Sequence, residues 1–244
     1  TGENGLTVTF EIQDESLTIL SGNSSVSGGL WTSTIDVSSL DDGVLTITAT
    51  EQDLFNNTAT TTHTITLDTT PPISTIDTPI SEDNIVNFEE QSDVLFSGTG
   101  EIGSTINVTI TDSTNTIGPI SVIVDNNGEW ETTQNLTLLN DGTATISVIE
   151  SDISGNIGAP VTHDFEIETT LPIITINTIN GDDRINENEE INTPITGSSE
   201  PNLPIIISIT DGVETLITNG TTDSSGLFNI PFDVSSLDDT TLTI

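Results

Sequence analysis

The side chains of this sequence that could do chemistry are almost all carboxylates. Asp and Glu number 39 against a single base, Arg184, giving a formal net charge of -38. Two acids occupy matching places in a junction that occurs twice. Leu67-Asp68-Thr69-Thr70-Pro71-Pro72-Ile73 returns as Ile167-Glu168-Thr169-Thr170-Leu171-Pro172-Ile173. Each copy places an acid and then stiffens the chain, because proline fixes φ and holds the preceding residue extended. Acids gathered at a semi-rigid hinge, with no base to pair them, call for a cation. Calcium suits such a site, since it takes six to eight oxygens in flexible geometry, whereas magnesium demands a small octahedral shell. With no Cys and two distant His residues, zinc does not fit. No stretch has the spacing and terminal Glu of an EF-hand loop.

Other chemistries find little support. His63 and His163 hold equivalent strand positions with no recurring Ser and Asp around them, which is not a triad; they read as exposed strand residues. Paired carboxylates could serve a glycosidase, but such a site needs a cleft. No glycine-rich phosphate loop leads a strand into a helix. The chain therefore reads as no enzyme. Its negative field repels nucleic acid and anionic membranes, and no apolar run approaches a membrane span. The lack of Cys excludes disulfides, and the lack of Lys excludes lysine–asparagine isopeptide bonds. Acidity alone would also suit solubility in a salty habitat or a disordered chain, but regular apolar–polar alternation argues against disorder. Sequons at Asn23, Asn56, Asn107, Asn135 and Asn219 arise readily in so Thr- and Asn-rich a sequence. The opening Thr1-Gly2-Glu3-Asn4-Gly5 is not a signal peptide; it reads as the interior of a longer chain.

The elements that must position these acids follow from an internal repeat of about 100 residues. Trp31, Trp130 and Phe228 correspond, as do Leu40-Asp41-Asp42-Gly43, Leu139-Asn140-Asp141-Gly142 and Leu237-Asp238-Asp239-Thr240. Glu51-Gln52-Asp53 likewise matches Glu150-Ser151-Asp152. Three domains result: 1–68, lacking its first part; 69–168, complete; and 169–244, lacking its last part. Within each, apolar residues alternate with Thr, Ser and Asn, as in Val8/Phe10/Ile12 and Ile106/Val108/Ile110. Period two marks half-buried strands, and Asn127-Gly128 and Asp141-Gly142 mark turns. About seven short strands per repeat predict an all-β fold of tandem immunoglobulin-like sandwiches in an extended rod. Trp31, Trp130 and Phe228 are expected in the cores.

Four motifs carry a family resemblance. They are Asp68-Thr69-Thr70-Pro71-Pro72, Asp152-Ile153-Ser154-Gly155-Asn156, Asp183-Arg184-Ile185-Asn186 followed by Glu189, and Asn127-Gly128-Glu129-Trp130. In this order the chain resembles the bacterial Ig-like extender repeats of giant calcium-dependent surface adhesins, of the biofilm-associated and ice-binding RTX types. The resemblance implies β-sandwiches, calcium at the domain junctions, neighbouring Ig-like domains as partners, and an extracellular, cell-surface location. Glu168, Leu171, Asn56 and Phe228 depart from the repeated pattern.

The loops of an Ig sandwich cluster at its two ends, which places the ligands. The first junction is expected to gather Asp41, Asp42, Asp68, Glu101 and Asp152. The second is expected to gather Asp83, Glu89, Asp141, Glu168 and Glu200. Asp42, Glu90, Asp182 and Glu187 are those expected to be surface charge alone. The leading reading is the spacer of an adhesin stalk made rigid by calcium. A self-assembling extracellular filament or sheath, completed by neighbouring subunits, is the first alternative. The other is a carbohydrate- or ice-binding module, suggested by Thr-rich stretches such as 58–66.

Overall fold

A computed structural model of the chain describes residues 2–244. The chain is built of strands, with one short 3-10 turn at Ile179–Gly181 among the described residues. The first repeat contributes β1 (Thr7–Gln13), β2 (Ile19–Ser25), β3 (Gly43–Gln52) and β4 (Thr58–Leu67), in one antiparallel sheet of order β2-β1-β3-β4. The middle repeat holds β5 (Ile85–Asn87), β6 (Val94–Thr99), β7 (Thr105–Thr111), β8 (Thr116–Ile123), β9 (Glu129–Gln134), β10 (Gly142–Ser151) and β11 (Val161–Glu168). Its larger sheet has the order β5-β11-β10-β7-β8 and faces the β6-β9 pair. The third repeat holds β12 (Thr175–Ile176), β13 (Thr193–Ser198), β14 (Pro204–Thr210), β15 (Thr215–Thr221) and β16 (Leu227–Phe232). Contacts divide the chain into two compact units, Thr1–Thr169 and Thr170–Ile244.

The middle repeat shows why the sequence folds this way. Along β7 the burial alternates, with Ile106, Val108 and Ile110 inside and Asn107 and Thr109 outside. Along β10, Ala144, Ile146 and Val148 point in. These inward rows meet Phe96, Trp130, Val86 and Phe165 to form one core, and Phe96 and Phe165 pack at 5.8 Å between ring centroids. Such a two-sheet core is the immunoglobulin-like sandwich anticipated from the alternation. β8 was not legible in the sequence. It is an edge strand containing Pro119, and its register against β7 shifts between Val108 and Ile110. Proline is tolerated there because an edge strand leaves one side of its ladder unpaired.

Trp130 is almost fully buried, and its indole N–H donates to Thr75 O at 3.2 Å. That bond holds segment 73–77 beside β6, where Thr75 and Asp77 donate their N–H groups to Thr99 and Ser97. Gly98 is required at this contact, since a Cβ there would run into the Thr75 carbonyl. Gly197 makes the same close approach to Thr175 in the third repeat, whose separate core contains Phe228 and Ile195. The expectation for Trp31 holds only in part: it is half-buried, stacked on Phe10 at 5.9 Å.

Replacing Trp130 by Ala removes this aromatic mass and its hydrogen bond together. We expect a loss of about 3–5 kcal/mol in the stability of the middle repeat, read by urea unfolding.

Candidate metal-binding junction

Acid loops recur at each repeat, and backbone N–H groups hold them. In the first repeat Asp14 accepts from Thr18 N and from Asp41 N, 27 residues on. In the middle repeat Asp112 accepts from Thr114, Asn115 and Asn140 N–H groups. In the third, Asp211 accepts from Val213, Glu214 and Asp238. Each of these acids thus clamps its own turn to a later loop of the same repeat. For Asp112 the Asn140 and Asn115 N–H groups hold the carboxyl well below the usual carboxylate range. The Asp238 and Glu214 N–H groups lower Asp211 likewise. At Asp14 burial opposes ionisation, but the Asp41 N–H and the Ser16 hydroxyl outweigh it.

The hinge at Asp68 is tied on both sides. From the first repeat Asp42 accepts from Thr69 N at 3.0 Å, Thr69 Oγ1 at 2.8 Å and Thr70 Oγ1 at 2.8 Å. Asp42 was expected to be surface charge alone; it is the anchor of the hinge. Asp41 beside it gives its N–H to Asp14. From the middle repeat, Ser154 Oγ donates to Asp68 Oδ2 at 2.8 Å and Asn156 Nδ2 to Asp68 O at 3.1 Å. Asp152 shapes that loop by accepting from the N–H groups of Ser154 and Asn156. Although burial opposes ionisation of Asp152, the Asn156 side chain and these N–H groups hold its carboxyl below the usual range.

Around this grip the negative charges accumulate. Glu101 is pushed up by desolvation first, and then by the charges of Asp152, Asp68 and Glu150. Glu150 is the residue that the sequence reading missed. It is fully buried; its Oε1 accepts from Glu101 N at 2.6 Å and from the Ser104 hydroxyl. Its Oε2 is buried with no hydrogen-bond partner. A signal for it exists: Glu150 continues the inward row Ala144, Ile146, Val148, where an acid is out of place. Glu51 holds the matching position in the first repeat, its Oε1 accepting from Glu3 N at 2.8 Å. Among the described residues, no three His, Asp or Glu side chains stand close enough to share one ion. Asp68, Glu101, Asp152 and Glu150 are therefore neighbours through their fields rather than a closed shell.

The acids expected at the second junction fall in both units. In the first, Asp83 accepts from Ile85 N at 2.9 Å, and Glu89 gives its N–H to Asn87 Oδ1. Asp141 accepts from Thr169 N and Oγ1, repeating the Asp42 anchor, and Glu168 ends β11. In the second unit Glu200 is exposed, and its carbonyl accepts from Thr222 Oγ1 at 2.6 Å. Two acids expected to be surface charge alone are also tied to turns: Glu90 accepts from Asn87 N, and Asp182 from Arg184 N. His163, expected to be an exposed strand residue, is half-buried and lies 2.7 Å from Asn84 Oδ1.

Residues 73–169 match the sequence family described as Bacterial Ig-like domain, and residues 29–115 match Bacterial Ig-like domain (group 3). No curated protein matches the chain. Among solved structures, the chain is similar to a tetra-tandem repeat in the extending region of a large adhesion protein, at 23% identity and a TM-score of 0.40. That match covers 97% of this chain and 61% of the other. It is similar to a bacterial ice-binding adhesin of 1.5 MDa, at 18% identity and TM-score 0.46, over 96% of this chain and 78% of the other. A third, a Ca2+-stabilized ice-binding adhesin of an Antarctic bacterium, is 25% identical with TM-score 0.45, over 96% and 58% of the two chains. The chain thus spans less than two thirds of the first and third of these.

Two expectations of opposite sign follow for metal-free protein. Asp14, Asp112 and Asp211 are lowered in the folded state, so their stabilisation is complete above the unfolded value near about 3.9 and is lost as pH falls below it. Melting temperature should therefore drop between about pH 4 and pH 2, and Asp112→Asn should flatten that drop. Glu101 is raised, so its contribution is favourable at low pH and is lost as pH rises through its folded value. Glu101→Gln should accordingly raise the melting temperature at pH 7, read by calorimetry in chelator.

Proposed function

We propose that this run of bacterial Ig-like domains is a length of the spacer of a cell-surface adhesin, and that calcium stiffens the hinge at Asp68. The observation that carries the reading is Glu150. A buried carboxylate oxygen without a donor, beside three further acids, is a costly arrangement unless a cation completes it. The donor set is all oxygen, and Ser, Thr and Asn groups of the hinge stand close by, which suits calcium better than a softer metal. Since no three of these carboxylates reach one point, the ion would be held by the free Glu150 oxygen with at most one of Glu101, Asp68 and Asp152, hydroxyl, carbonyl and water oxygens completing its shell and the remaining acids adding their field. Bound there, it would offset the mutual repulsion that raises Glu101.

The hinge is built for such a role. Asp42 ties it to the first repeat, and Ser154 and Asn156 tie it to the second, without any cation. Most of those bonds are exposed, and each is worth only about 1 kcal/mol. A cation held by acids of the hinge and of the second repeat joins the two more firmly and stabilises the joined state by mass action. The Asp141–Thr169 bonds repeat the Asp42 anchor at the end of the middle repeat. A spacer that relays force or distance needs stiff joints more than a catalytic cleft.

Calcium titration checks this directly. Added calcium should raise the melting temperature of the chain and lengthen it in solution scattering, with magnesium doing less. Asp68→Asn combined with Asp152→Asn, or Glu150→Gln alone, should remove both responses. Unchanged melting and scattering with calcium in the wild-type chain would refute the reading.

A further inference from the structure

We propose that Ser74 is a ligand of the ion at Glu150, supplying a neutral hydroxyl oxygen from the first extended segment of the middle repeat. The inference rests on the cation reading and names an oxygen which that reading leaves open. Among the described residues, two side-chain oxygens are buried without a hydrogen-bond partner: Glu150 Oε2 and Ser74 Oγ. Glu150 is fully buried and Ser74 is only 5% exposed. An unpartnered polar atom in a protein interior is destabilising, and two of them in one repeat call for a shared cause.

The fold brings these two oxygens to one end of the core. Segment 73–77 runs antiparallel to β6, with the Thr75 N–H on Thr99 O at 2.9 Å and the Asp77 N–H on Ser97 O at 2.8 Å. That register sets Ser74 opposite Gly100. Residues directly opposite in an antiparallel pair share a face, and Ser74 is buried, so its side chain shares the inward side of Gly100. Gly100 has no side chain to fill that side, and a Cβ there would meet Glu150 Oε1 at 2.8 Å. The Glu150 carboxylate therefore occupies the room that Gly100 leaves. The backbone repeats this neighbourhood. Gly158 donates its N–H to Glu150 O at 2.9 Å, and a Cβ on Gly158 would run into Pro72 O. Pro72 ends the hinge two residues before Ser74.

The chemistry of the place asks for such an oxygen. Glu150 Oε1 is engaged by the Glu101 N–H and the Ser104 hydroxyl, which leaves Oε2 for an ion. No three carboxylates reach one point, so a calcium ion must draw most of its six to eight oxygens from neutral groups. Ser74 Oγ is neutral, small and carried on an extended segment, with its lone pairs unengaged. It adds a ligand without adding charge to the field of Glu101, Asp68 and Asp152. Ile174 holds the matching place in the third repeat, so this ligand is not repeated there.

Calorimetric titration of the full chain with calcium tests the assignment. Ser74→Ala should weaken calcium binding about tenfold, and in a Glu150→Gln background it should change nothing further. In chelator the same variant should melt no lower than wild type, because an orphaned hydroxyl is removed. Ser74→Cys, close to serine in size, puts a single thiol into a chain that has no Cys. It should lose calcium as Ser74→Ala does and bind cadmium about tenfold more tightly than wild type, soft sulfur preferring the softer ion. If Ser74→Ala does not fold, Ser74→Cys carries the test. Wild type that takes up calcium beside a folded Ser74→Ala that binds it equally would overturn the inference and leave the cation reading standing. An equal fall of melting temperature in chelator and in calcium would make Ser74 a packing residue and overturn it too, as would a Ser74→Cys chain that gains no cadmium affinity. No calcium uptake by wild type would remove the cation reading and this ligand with it.

Discussion

Charge without countercharge is the constraint on which the rest of this structure depends. A chain with 39 acids and one base cannot settle its carboxylates in ion pairs. It settles many of them on N–H and hydroxyl groups instead. Asp14, Asp112 and Asp211 each clamp a turn to a distant loop, and Asp53, Asp125, Asp152 and Asp223 each close a short loop on themselves. A carboxylate accepting several N–H groups stays ionised at ordinary pH and serves as a fixed corner of the loop. Acidity is thereby a structural material in this fold, besides being a source of solubility.

Where donors run out, the hinge begins. The Asp68 segment collects the neighbours that no N–H reaches: the second oxygen of Glu150, and the Glu101 carboxyl raised by desolvation and by the charges around it. The same hinge is gripped by neutral side chains from both repeats. Joint and charge cluster therefore share one place, so a cation taken up by the cluster would act on the joint. This coupling follows from the fold, because the loop that presents Asp152 and the loop that presents Glu101 flank the incoming chain.

The repeats share a frame and vary its fittings. Glu51 repeats the backbone bond of Glu150 but is only half-buried. Phe55 stands where Ser154 grips the hinge, and Asp183 where Asn84 meets its histidine. Core positions are more uniform, because alternation fixes which side of a strand is buried. The variation falls on loops and strand ends, where partners are set by distant parts of the chain rather than by strand alternation.

The sequence by itself determined most of the strands, though not β8, and the sandwich they build. Alternation of Ile, Val and Phe with Thr and Asn, and recurrence of Asp-Thr-Thr-Pro and Glu-Thr-Thr-Leu-Pro, are local signals that one chain displays in full. Within the site, Asp68, Glu101 and Asp152 were legible as loop acids, and Asp141 as a member of a repeated turn. Only the tertiary structure decided that Asp42, rather than Asp41, ties the hinge, because adjacent residues in a loop differ only in where their side chains turn. It alone revealed the orphaned oxygen of Glu150 and the bond from Asn84 to His163, since each depends on a partner far along the chain. Local pattern sets which residues face inward; whether a buried polar atom finds a donor is settled by what the fold brings opposite it.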